Sequence, residues 1–193
     1  MIRRVCFALI LVCLCATSAW AQLTPTQLQT LKTDIAANAN VTGQPGSIYQ
    51  NTAVNAVPNN SDGNFAIAFW YNQATVGFIV WRNNIPVYQV GNAMLQTDVA
   101  NLTATNLSRL QTSAAYALQG FTGSANTEAG FNDIYSVAGA SGTRANLHSV
   151  WRRVALRNEQ LFATGTGSDA SPATMGHEGQ ISGSDVQNAR SLP

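Results

Sequence analysis

The residues of this chain best suited to chemistry are His177 and Glu178, side by side near the C-terminus, and His148, the only other histidine. A zincin-type helix presents two histidines four residues apart with a glutamate between them, so that both imidazoles reach one metal. Four residues beyond His177 stands Ile181, and His148 lies about thirty residues upstream, so no metal or cofactor is expected. The run Gly165-Thr-Gly-Ser-Asp169 looks like a phosphate cradle but lacks the Lys-Ser/Thr pair that opens a P-loop helix. Gly139-Ala-Ser-Gly142 lacks the outer spacing of a nucleophile elbow. No catalytic constellation emerges, and the expectation is a protein that is not an enzyme.

One concentrated basic face remains. Arg144, His148 and Arg152 recur at i, i+4 and i+8, with Arg153 and Arg157 alongside. On a helix these five form a solvated cationic surface that complements the negative end of the helix dipole. The functional reading of the same surface is docking onto an acidic partner subunit or a nucleic acid. The aromatic run Phe65, Phe69, Trp70, Tyr71, Phe78 and Trp81 reads as core, with a carbohydrate platform as its alternative.

The elements that must position these groups are mainly α-helical. Thr24 caps and Pro25 opens a helix carrying Leu28, Leu31 and Ile35, fading by Asn38. Residues 39–62 read as an unusually long loop, either a functional surface segment or one ordered by partners. Asp62 is placed to cap a short helix to Tyr71, and Val76–Trp81 suits strand or helix, with context favouring helix. Asn83-Asn-Ile-Pro86 breaks the chain before another short turn at Val87–Val90. Thr103 caps a helix striped by Leu107, Leu110, Ala114 and Leu118. A shorter helix runs from Glu128 to Val137. Thr143 caps a long one from Arg144 to about Phe162, with Leu147, Trp151, Val154 and Leu161 on its inner face. From Thr164 the chain turns glycine-rich, and an extended tail is expected, with a short β-hairpin near Met175 and Ile181 and a last turn near Val186. The division is therefore 1–21 leader, 22–163 helical domain and 164–193 Gly-rich extended tail.

Composition bounds the partners. Arg3 and Arg4, the apolar run Val5–Leu14 and the Ala19-Trp-Ala21 site follow secretory signal-peptide grammar, and the run is too short to span a bilayer. The same 21 residues hold all three cysteines, so a chain starting at Gln22 would have 172 residues and no disulfide. Eight basic against nine acidic residues would then give a net charge of −1, which disfavours nucleic acid as a partner. A surface wetted by amides and hydroxyls resists association less than a charged one does. No stable membrane insertion is expected after cleavage.

Several segments together resemble a group of tailed-phage and prophage proteins. They are Leu23–Asn38, Val80-Trp-Arg82 with Pro86, Ser108–Thr112, Trp151–Val154, and Glu159 through Gly165 and Pro172 to Gly176. The resemblance covers nearly everything from Leu23 and implies a small helical protein encoded among virion structural or assembly genes, with no assigned activity. Its partners would be other virion or assembly subunits, or a second copy of itself. Relatives in that group begin near residue 23, so the leader departs from the pattern. Translation starting near Leu23 implies the virion or the host cytoplasm during assembly. A genuine leader implies the periplasm or the medium, and the alternative function of a secreted or periplasmic binding module using the 39–62 loop and its nearby aromatics.

Overall fold

The computed structural model describes residues 22–117, 120–136 and 139–193. Met1–Ala21, the segment expected to be a leader, and Leu118 and Val137 of the expected helices lie outside the described residues. The fold is mainly α, with one two-stranded antiparallel ribbon among the described residues.

The first helix, α1 (Pro25–Ala37), starts as its sequence dictates. Thr24 Oγ1 accepts from Gln27 N at 3.3 Å, Gln27 Oε1 accepts from Thr24 N at 2.9 Å, and Pro25 takes the position that needs no donor. Asn60 caps α2 (Ser61–Tyr71) by accepting from Gly63 N, and Asp62 sits inside the first turn and is not the cap. α2 buries Ala66, Ile67, Ala68, Trp70 and Tyr71, apolar on nearly every side. Between these helices the 39–62 segment orders itself. Val41 bridges Ala53, Thr42 is buried, and a 3₁₀ turn covers Val54–Ala56.

Ala74–Trp81 forms a strand, β1, and not a helix. It pairs antiparallel with β2 (Arg152–Leu156), Val80 opposite Arg153 and Trp81 opposite Arg152, with an irregularity between Ala74 and Ile79 around Gly77. This pairing also corrects the long helix expected from Arg144 to Phe162. α7 (Ser141–Trp151) stops at Trp151, β2 follows, and α8 (Arg157–Phe162) resumes the helix. A strand whose backbone is extended needs a hydrogen-bonding partner, and Val80 is buried where the two strands pair; that tertiary demand overrides a helical periodicity in the segment that supplies it. Between the strands lie α3 (Val87–Ala93), α4 (Gln96–Ala100), α5 (Ala104–Tyr116) and α6 (Ala125–Ile134). Thr103 caps α5 as expected. Thr143 does not cap α7; it lies within the helix, donating its N–H to Asp98 and accepting from Leu95 N at 2.9 Å.

The segment 164–193 is not an extended tail. Thr164 and Thr174 bridge each other at 2.9 Å, and Ala173 pairs with the outer edge of β1. Asn72 hydrogen-bonds both backbone groups of Ile181. The chain ends in α9 (Gly183–Arg190), capped by Ser182 and Asp185, with Val186 and Ala189 fully buried against α1 and α2. The glycines permit this course. Gly167 has φ +66°, and a Cβ there would stand 2.3 Å from the Phe78 ring.

Two apolar clusters result. One gathers α1, α2, α9 and the 54–57 turn around Leu31, Ile67 and Tyr71. The other gathers α3, α5, α6 and α7 around Trp151, Phe131 and Tyr135. The ribbon runs between them with its own small cluster of Val80, Ala155 and Ala173.

Candidate functional site

Successive side chains of a strand point to opposite faces, so β2 sends Arg152 and Arg153 in opposite directions. Each meets its own carboxylates. Arg152 is buried, its guanidinium 5.0 Å from the centre of the Trp81 ring, and it pairs with Glu128 and reaches both the backbone carbonyl and the carboxylate of Asp169. His148, on the last turn of α7, joins the same group: Nδ1 lies 2.8 Å from Glu128 and Nε2 3.3 Å from Asp169. The hydrogen bond to His148, with Arg152 beside it, holds the Asp169 carboxyl below the usual carboxylate range. Both ring nitrogens of His148 thus face carboxylates.

Arg153 forks onto Glu159, its two nitrogens 2.6 and 2.7 Å from the two carboxylate oxygens. Glu159 is fully buried at 0% exposure and accepts also from Leu156 N and Gly179 N. Burial opposes its ionisation. Four hydrogen bonds outweigh that and hold the carboxyl below its ordinary value. Glu178 adds a looser contact to Arg153 at 3.6 Å. His177 is buried beside Phe162, ring centres 5.9 Å apart, with Nε2 lacking a partner among the described residues. Burial pushes this imidazole below its ordinary pKa against the opposing pull of Glu159, Asp185 and Glu178.

The five residues expected on one helical face therefore occupy three elements. Arg144 and His148 lie on α7, Arg152 and Arg153 on β2, and Arg157 opens α8. Arg144 donates to Tyr135 O at 3.0 Å. Arg157 lies over the Trp70 ring at 4.4 Å and donates to Trp70 O and Gln73. Arg152 is the one buried member of the five, whereas Arg144, His148, Arg153 and Arg157 are half-buried. The pair His177-Glu178 is brought next to Glu159 and Arg153. Among the described residues no group of three or more His, Cys, Asp or Glu is arranged to hold a metal ion.

The aromatic run divides. Trp70 and Tyr71 are core and meet edge to face at 4.8 Å; Phe78 and Trp81 are half-buried. Phe65 is 60% exposed, and with Ile48 (81%) and Asp62 it lines a cavity of about 460 Å³ at the tip of the 39–62 loop. Sequence reasoning missed Glu159, because one glutamate in an exposed-looking Arg-Asn-Glu-Gln string carries no mark of burial. It also missed the hydrogen bond of buried Tyr71 to Asp34, which joins residues 37 positions apart. No helix among the described residues is long and apolar enough to cross a membrane. Comparison of the chain with protein-family models, with curated proteins and with solved structures found no match.

Proposed function

We propose that this protein is a phage-type virion structural or assembly protein that acts by packing against other subunits and not by turnover. One observation carries the reading: charged side chains pair with one another inside the molecule, whereas large apolar ones stand in solvent. Arg152 and Arg153 hold Glu128 and Glu159, while Ile48, Phe65, Val76, Tyr88 and Tyr116 (86%) are exposed. Ile48 and Phe65 share one cavity edged by Gln44 and Ser47, and an exposed apolar pair so edged favours contact with another protein surface. The resemblance to tailed-phage proteins supplies the setting. Sedimentation velocity over a concentration series, with the subunit list of purified particles, tests the reading. Self-association or presence in particles supports it, and a strict monomer absent from particles overturns it.

The cavity beside Phe65 and Ile48 favours a second reading, a secreted or periplasmic binding module built on the 39–62 loop. A small molecule that protects this loop from proteolysis would favour that function over packing.

A further inference from the structure

A cavity of about 350 Å³ opens where the ends of α1 and α2 meet α8, and it holds an arrangement found in neither charge network. Asp34 and Arg157 both line it, yet no nitrogen of one approaches an oxygen of the other within 4.0 Å. Each is fixed by uncharged groups. Asp34 accepts the hydroxyl hydrogen of buried Tyr71, and Arg157 lies over Trp70 with Nη1 bonded to Trp70 O (3.0 Å) and Gln73 Oε1 (2.7 Å). Only about one residue in ten of this chain is charged. Arg82, Arg144 and Arg190 also bond only to carbonyls and amides, but Arg157 shares its cavity with a carboxylate, Asp34, that pairs with no cation among the described residues. Two opposite charges, positioned but not neutralised, thus share one small polar cavity. Gln160 adds a directed group: its Oε1 is held by the Thr75 hydroxyl at 2.8 Å, which fixes the amide so that its NH₂ is a preset donor. The volume lies at the small end of the range for ligand sites, suited to an occupant the size of an amino acid or dipeptide.

We propose that this cavity binds a small zwitterion, its carboxylate against the Arg157 guanidinium and its ammonium against the Asp34 carboxylate. Such a ligand completes both charges at once, and its recognition needs no catalytic group. A neutral sugar would leave both charges without a counter-ion, which disfavours it. A lone anion or cation would leave one. Partial burial of Arg157 strengthens the attraction by thinning the water that would screen it.

The test is titration of the full chain with glycine, β-alanine and glycylglycine, which carry the same two charges at different spacings, followed by Trp fluorescence and by calorimetry. Saturable binding of at least one of them at concentrations up to about 10 mM supports the proposal. So does a loss of about tenfold or more with N-acetylglycine, which lacks the ammonium, and with glycinamide, which lacks the carboxylate. Asp34→Asn keeps an acceptor for the Tyr71 hydroxyl and Arg157→Gln keeps a donor for Trp70 O; each should weaken binding by a similar factor. Absence of saturable binding by all three zwitterions overturns the proposal. So does equal binding of either singly charged control, or binding of glucose alone.

Discussion

At the scale of single residues, the fold depends on whether a buried charge is answered. Glu159 has no access to water, and Arg153 is its one cationic partner at hydrogen-bond distance. Removing one member of a buried pair leaves the other uncompensated, at about 3–5 kcal/mol. Arg153→Met should fall in that range in urea denaturation, and Arg153→Met/Glu159→Leu should recover part of the loss. A cost below about 1 kcal/mol for the single variant would mean that Leu156 N and Gly179 N hold the carboxylate unaided. His177 makes a pH prediction with a definite sign. Its folded-state pKa is depressed by burial, so the unfolded chain takes up the proton first. Stability is therefore complete above the ordinary histidine value of about 6.5 and declines as pH falls below it. Glu159, also depressed, adds a second decline that begins near the ordinary glutamate value of about 4.3. In urea midpoints measured from about pH 7.5 to about pH 3, His177→Gln should flatten the first decline and leave the second. An unchanged slope above pH 5 would show that His177 does not titrate on unfolding.

Elements tell how far the sequence could be read. The helices α1 and α5 were legible because their signals are local: Thr24 with Gln27, and Thr103 with Asn106, cap within one turn. The ribbon was not, because Val76–Trp81 and Arg152–Leu156 acquire strand geometry from each other across 71 residues of sequence. That missed pairing also hid the candidate site, since alternation on β2, and not helical spacing, decides where Arg152 and Arg153 point. The C-terminal segment misled for a related reason. Few apolar residues mark it, yet Ile181, Val186 and Ala189 are all buried in the first core. Ile181→Ala should accordingly cost about 2–5 kcal/mol, as for other core truncations, whereas an extended tail would tolerate it within about 0.5 kcal/mol. In the other core, Trp151 ends α7 fully buried, its ring 5.1 Å from that of Phe131 and 5.8 Å from that of Phe121. Trp151→Ala should cost about 3–5 kcal/mol in the same assay, and a change under about 1 kcal/mol would contradict that packing.

At the scale of the whole molecule, the question is which surface meets another subunit, because apolar and charged contacts respond differently to salt. Raising ionic strength from about 0.01 M to about 1 M shortens the Debye length from about 30 Å to about 3 Å, which suppresses attraction between exposed charges. Contacts through Ile48 and Phe65 have no such sensitivity, since burying apolar area is not screened. Full burial of either side chain is worth about 1.5–3 kcal/mol, so replacing both should weaken association by well over tenfold, each factor of ten being about 1.4 kcal/mol. Ile48→Ser/Phe65→Ser is therefore expected to shift the association midpoint in sedimentation velocity at high and low salt alike. His148→Gln should change it little at either. The opposite pattern, association lost at high salt and with His148→Gln but kept in the double serine variant, would move the contact to the exposed edge of the Arg152 network. The internal pairing of Arg152 and Arg153 argues for the first outcome: charges already answered within the molecule have little left to offer a partner at long range.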